Sequence, residues 1–190
     1  MDDFDDEAPL PLGVVLEGER GSLPFALLHG EALVACAAWA MGEAGVQLLD
    51  LGTPWEDVVD SGAPLVWHDA LCPMTPPDFL RACFDRALAD GVVVVGVLPV
   101  TDTVKEIVDD AQGPVVGATV DRDRLVQVVS PIVIPPSILR ALPGWPSIDF
   151  PTTVADLREV GRVLFVDAPS TARRVSSEHD VRALEALTRR

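Results

Sequence analysis

An α/β domain with a mostly parallel sheet flanked by helices is what this sequence predicts, on three observations. Val92 to Leu98 is a continuous valine-rich run, the pattern of a strand buried on both faces. Short apolar strands alternate with segments of helical spacing along most of the chain. Polar signatures stand just past apolar runs: His68-Asp69-Ala70 with Pro73 after Leu65-Val66-Trp67, Pro99 to Lys105 after the valine run, and Thr119-Val120-Asp121-Arg122. Ligands of open α/β sheets bind outside the carboxyl ends of the strands, so these residues are site candidates.

Residues 1–11 read as an acidic tail ending at Pro9 and Pro11. Leu12 to Leu16 is a first strand. Gly30 precedes a helix over Glu31 to Glu43, whose Leu33, Ala37, Ala40 and Met41 recur at helical spacing. Val46 to Leu51 is a second strand and Leu65 to Trp67 a third. A helix follows from Pro76 or Pro77 to Ala89, with proline in its first turn and Gly91 just past its end. After Leu98 the alternation breaks. Thr103 to Val108 and Pro114 to Val120 flank Asp109 to Gly113, which predicts a β-arm over residues 103–120. Leu125 to Val133 is a further strand, followed by Pro135-Pro136 and a short helix to Leu142. Trp145 to Pro151 is a loop, Thr152 to Val160 a helix, Val163 to Asp167 a last strand and Ser177 to Thr188 a final helix. Ser177 and Asp180 have capping-box spacing there.

At 190 residues the chain is one domain, over residues 12–190, large enough for a sizeable core. Net charge is −16 and Lys105 is the only lysine. Such a surface repels polyanions, which argues against nucleic acid and anionic lipid as partners. A small phosphorylated ligand is admissible only where arginines converge. No apolar stretch reaches the length a bilayer needs, and the acidic start is the opposite of a signal peptide, so a cytoplasmic location is expected. Cys36, Cys72 and Cys83 are odd in number, lack CxxC spacing and suit reduced thiols. His29 and His179 have no metal-ligand spacing. His68 reads as a packing or orienting residue and Cys72 as a small apolar one.

The order of elements and the three signatures resemble the 2-C-methyl-D-erythritol 4-phosphate cytidylyltransferase family of isoprenoid biosynthesis. His68-Asp69-Ala70-Leu71-Cys72-Pro73 is similar to its His-Asp-Ala-Ala-Arg-Pro, and Pro99 to Lys105 to its Pro-Val-Thr/Arg-Asp-Thr-Val/Met-Lys. Asp121-Arg122, Leu125 and Ser130-Pro131 correspond to its Asp-Arg, Leu-rich and Thr-Pro stretch. The resemblance implies a nucleotidyltransferase-type, Rossmann-like sheet and a homodimer clasped by the β-arm. It implies transfer of a CMP-type group from CTP to a sugar-alcohol phosphate, with Mg2+. Asp69 takes the catalytic and metal-binding place. Gly18 and Arg20 take nucleotide-binding places, and Thr103 and Arg122 are catalytic and phosphate-binding across the dimer. Arg174, before the last helix, is a further phosphate ligand.

The departures point elsewhere. The family's Ala-Ala-Gly-x-Gly-x-Arg loop with a following Pro-Lys stands here as Leu16-Glu17-Gly18-Glu19-Arg20 with Pro24-Phe25. Phe25 replaces the lysine, Glu17 and Glu19 bring negative charge, and Cys72 replaces the motif arginine. The Thr-Asp-Asp stretch is reduced to Thr152-Thr153 with Asp156, and the acidic residue before Arg174-Val175-Ser176 is missing. A hydrogen bond to a charged group contributes about 1.5–3 kcal/mol, so two lost cations remove roughly 3–6 kcal/mol, two to four orders of magnitude in rate or affinity. The expectation is a catalytically impaired relative acting as a binding or assembly protein, with an active paralogue as one partner. The alternative is a working nucleotidyltransferase with altered nucleotide contacts.

Overall fold

The computed structural model describes residues 9–189; residues 1–8 of the expected acidic tail lie outside it. Strand β1 (Leu12–Leu16) leads through a 3-10 turn at Leu23–Phe25 into a minimal hairpin, β2 (Leu27–Leu28) with β3 (Glu31–Ala32). Then come α1 (Leu33–Glu43), β4 (Gln47–Leu48), α2 (Trp55–Asp60), β5 (Leu65–Asp69), α3 (Pro77–Asp90) and β6 (Val93–Pro99). The arm is β7 (Val104–Asp110) and β8 (Gly113–Val120), followed by β9 (Val126–Ile134) and α4 (Pro136–Leu139). Finally α5 (Phe150–Val160), β10 (Val163–Asp167) and α6 (Glu178–Leu187) complete the described chain.

Six strands form one sheet in the order β10-β6-β9-β5-β1-β4. All neighbours are parallel except β9, which runs antiparallel to both β5 and β6. Alternation along the central strands divides the core. Leu65, Trp67, Val93, Val95, Ile132 and Ile134 face α5, meeting Phe150, Val154 and Leu157. Val66, Val94 and Val133 face the opposite way, against Met41 of α1 and Leu80, Cys83 and Phe84 of α3. Burial on both faces explains the unbroken valine run of β6. A third cluster packs Val181 and Leu184 of α6 against Leu28, Leu33, Leu71 and Val175, and so pins the C-terminal segment to the loop after β5.

Several boundaries differ from the sequence reading. The second strand is only Gln47–Leu48, and an unforeseen helix, α2, begins after Pro54 with Glu56 and Asp57 in its first turn. Those carboxylates favour a helix N-terminus, a signal hidden because the segment carries too few apolar repeats. Helix α1 starts at Leu33, since Glu31 and Ala32 pair with β2. Helix α5 starts at Phe150, inside the expected loop, because Asp149 caps it by accepting from Thr152 N at 3.1 Å. At α6, Ser177 accepts from Asp180 N, while the Asp180 carboxylate turns to Ser176 N at 2.8 Å.

Gly96 positions the site. The β6–β9 register shifts between Val95 and Val97, and a Cβ at Gly96 would lie 2.8 Å from the Ser130 carbonyl oxygen. Only a glycine lets β9 approach this closely. Ser130, thus placed and fully buried, receives the Asp69 backbone N–H on its Oγ at 2.7 Å.

Candidate functional site

Asp69 ends β5 at the carboxyl edge of the sheet and is 2% exposed. Its Oδ1 accepts from Arg20 Nε at 2.7 Å and from Leu71 N at 2.9 Å. Its Oδ2 accepts from Arg20 Nη2 at 3.2 Å and from Arg174 Nε at 2.9 Å. Burial pushes this carboxyl up, but the hydrogen bonds from Arg20, Leu71 and Arg174 hold it below its ordinary value. Asp69 is therefore a carboxylate shared by two guanidinium groups.

The Arg20 side chain is nearly buried and committed. Beyond its pair of bonds to Asp69 it donates to the Gly18 carbonyl, and from Nη2 to the Ile148 carbonyl at 3.0 Å. The Ile148 segment is held in turn by tryptophans. Trp145 stacks on Trp67 at 5.7 Å and meets Trp55 edge-on at 5.3 Å, while Trp67 Nε1 donates to the Ser147 carbonyl at 3.0 Å. Glu17 and Glu19 are exposed on the loop between β1 and Arg20. Glu19 has φ +58, a conformation that favours glycine. Phe25 is exposed too.

Arg174 donates from Nε to Asp69 and lines a cavity of about 330 Å³ beside the ends of β6 and β10. Arg173, Thr101, Gln127, Ser170 and Asp180 also line it. The sequence-predicted site is thus brought together in part. Asp69, Arg20, Gly18 and Arg174 form one network. Thr103 and Arg122 stay at the base of the arm, with no hydrogen bond or ion pair to Asp69 among the described residues. Arg122 Nη1 donates to the Thr101 carbonyl at 2.7 Å, which ties it to the cavity rim.

His68 and Cys72 are fully buried. Neither ring nitrogen of His68 has a hydrogen-bond partner among the described residues, and burial lowers its pKa to about 4 against the opposing pull of Asp69. Burial likewise raises Cys72 to about 12, an inert thiol.

Magnesium needs several oxygen ligands in near-octahedral array. The acceptor directions of Asp69 are filled by arginine and backbone donors, and the described residues contain no group of three or more His, Cys, Asp or Glu able to hold a metal. These residues do not fit a protein-held magnesium ion. No helix among the described residues is long and apolar enough to cross a membrane.

Comparison with known proteins agrees with this architecture. The chain matches no protein-family profile. It is 36% identical over 135 residues to the 2-C-methyl-D-erythritol 4-phosphate cytidylyltransferase of Saccharopolyspora erythraea, covering 70% of this chain and 58% of that protein. It is 34% identical over 134 residues to the bifunctional enzyme IspD/IspF of Clavibacter michiganensis, covering 70% of this chain and 32% of that one. The matches span less than two thirds of these relatives' own lengths. The crystal structure of 2-C-methyl-D-erythritol 4-phosphate cytidylyltransferase from Thermus thermophilus superposes with a TM-score of 0.64 at 18% identity, over 94% of this chain and 98% of that one. At that identity the superposition speaks for the fold.

Proposed function

From the premise that this chain belongs to the 2-C-methyl-D-erythritol 4-phosphate cytidylyltransferase family, we propose that it keeps the family's fold and arm without its reaction. It acts in the cytoplasm as a binding or assembly protein, with an active paralogue as one partner. The observation that carries this reading is the closed network at Asp69. Nucleotidyl transfer sets a phosphate oxygen of the acceptor against the α-phosphorus of a nucleoside triphosphate, and pyrophosphate leaves. Such chemistry depends on cationic donors aimed at the phosphates. Here Arg20 is bonded to Asp69, Gly18 and Ile148, Phe25 stands in the lysine's place, and Glu17 and Glu19 repel a triphosphate.

A second reading, a working nucleotidyltransferase with altered contacts, is favoured by one feature. Arg173 and Arg174 converge on a cavity that includes Thr101, with room for a phosphate. In that reading Thr103 and Arg122 of one protomer complete the partner's crevice.

Thermal denaturation with CTP and magnesium, alongside a pyrophosphate-release assay, separates the two. Ligand at 100 times its dissociation constant adds about 2.7 kcal/mol of stability. Millimolar CTP should leave the melting temperature nearly unchanged and release no pyrophosphate. A clear rise at micromolar CTP would sink the non-catalytic reading.

A further inference from the structure

A second cavity lies away from Asp69, on the α1 side of the sheet. It measures about 610 Å³, within the range of small-molecule sites. Its walls are α1, through Cys36 and Trp39, and the loop between β5 and α3, through Met74 and Pro76. Among the described residues Glu31 is the only ionisable group lining it apart from the Cys36 thiol, and no Lys, Arg or His does. Glu31 forms no ion pair or side-chain hydrogen bond among the described residues, and its charge acts with burial to raise the neighbouring Cys36 thiol. Trp39 lines the cavity while 64% exposed, an unusual position for a tryptophan with nothing over it.

We propose that this cavity is a binding site for a small organic cation, a substituted ammonium group on an apolar body. The Trp39 indole face and the Glu31 carboxylate receive the charge while Met74, Pro76 and the α1 wall receive the body. Cations favour tryptophan faces above other rings. A lone carboxylate in a cation-free lining excludes phosphates and carboxylates from the same space, and the −16 chain charge draws cations toward it. A site of this chemistry is unrelated to nucleotidyl transfer, so it stands or falls apart from the reading above.

The probes are benzyltrimethylammonium, its neutral isostere 2-methyl-1-phenylpropan-2-ol, and phenylacetate, titrated into the full chain and followed by amide chemical shifts and calorimetry. The cation should bind with a dissociation constant of about 1 mM or tighter, shifting residues of α1 and the Met74 loop. The alcohol should bind at least several-fold more weakly and phenylacetate not at all. Glu31→Gln should weaken the cation by roughly three- to tenfold, and Trp39→Leu by at least about tenfold. Both residues are exposed, so circular dichroism should show each variant folded. Absence of shifts in the cavity wall at roughly 10 mM cation would overturn the proposal. Equal binding of the alcohol or the anion, or an unchanged affinity in Glu31→Gln, would do so too.

Discussion

Two guanidinium groups and one buried carboxylate make Asp69 the residue whose loss should be felt most. Asp69→Asn leaves Arg20 buried without its counter-charge, and breaking a buried pair in this way costs about 3–5 kcal/mol. Urea denaturation should show that loss, with Arg174→Gln costing much less because Arg174 is partly exposed. His68 gives a second signature. Its folded-state pKa of about 4 lies below the ordinary 6.5, so the folded protein refuses a proton that the unfolded chain accepts. Its contribution is therefore complete above pH 6.5 and is lost as pH falls toward 4, a change on the order of 3 kcal/mol. Asp69, also held low, should add its own loss only at still lower pH. Urea midpoints from about pH 7.5 down to about pH 5 should decline in the parent and stay nearly flat in His68→Phe. A variant that declines equally would clear His68 of the effect.

At the level of strands and helices, Gly96 and Trp145 join the sheet to the site. Gly96→Ala drives a methyl against the Ser130 carbonyl, and backbone cannot yield as a side-chain tip does. A loss of about 2 kcal/mol or more is expected in chemical denaturation, with the Asp69 network disturbed through Ser130. Trp145→Ala removes the stack on Trp67 and the edge contact with Trp55, at a cost of about 3 kcal/mol and with the near-ultraviolet dichroism much reduced. The elements that sequence periodicity found include those with the most extensive buried faces: β1, β5, β6, β9, α1 and α3. It missed α2 and overextended β4 because a two-residue edge strand and a six-residue helix leave too short a pattern. Asp69, Arg20 and Arg174 were each visible as candidates beside their motifs. Their convergence was not, since Arg20 and Arg174 lie 49 and 105 residues from Asp69 and only the folded sheet adjoins them. Arg20 read as a nucleotide-binding residue from its loop, and the fold sets its guanidinium on Asp69.

Taken as a molecule, the chain is a covered sheet with one uncovered appendage. The β7–β8 pair forms its own two-stranded sheet, with Ile107 directly opposite Val116 and both 69% exposed, and Val108 opposite Val115 on the other face. Two-stranded ribbons are marginal alone in water, and a two-fold partner is the commonest remedy for such surface. Light scattering at micromolar concentration should return the mass of a homodimer. Ile107→Lys with Val116→Lys should return a monomer whose helical dichroism is unchanged, because neither residue touches the main core. A parent protein already monomeric would remove Thr103 and Arg122 from any shared crevice.

The distance along the chain between the partners of Asp69 also bears on how the protein comes into being. A ribosome adds about 5–20 residues per second, so the 105 residues from Asp69 to Arg174 take some 5–20 s to emerge. During that interval the Asp69 carboxylate has Arg20 as its one guanidinium partner, and α6 is not yet there to cover Leu71. The N-terminal half therefore waits, with one guanidinium of its pair missing and an apolar seam open, for the stretch of chain that carries Arg174 and Val175.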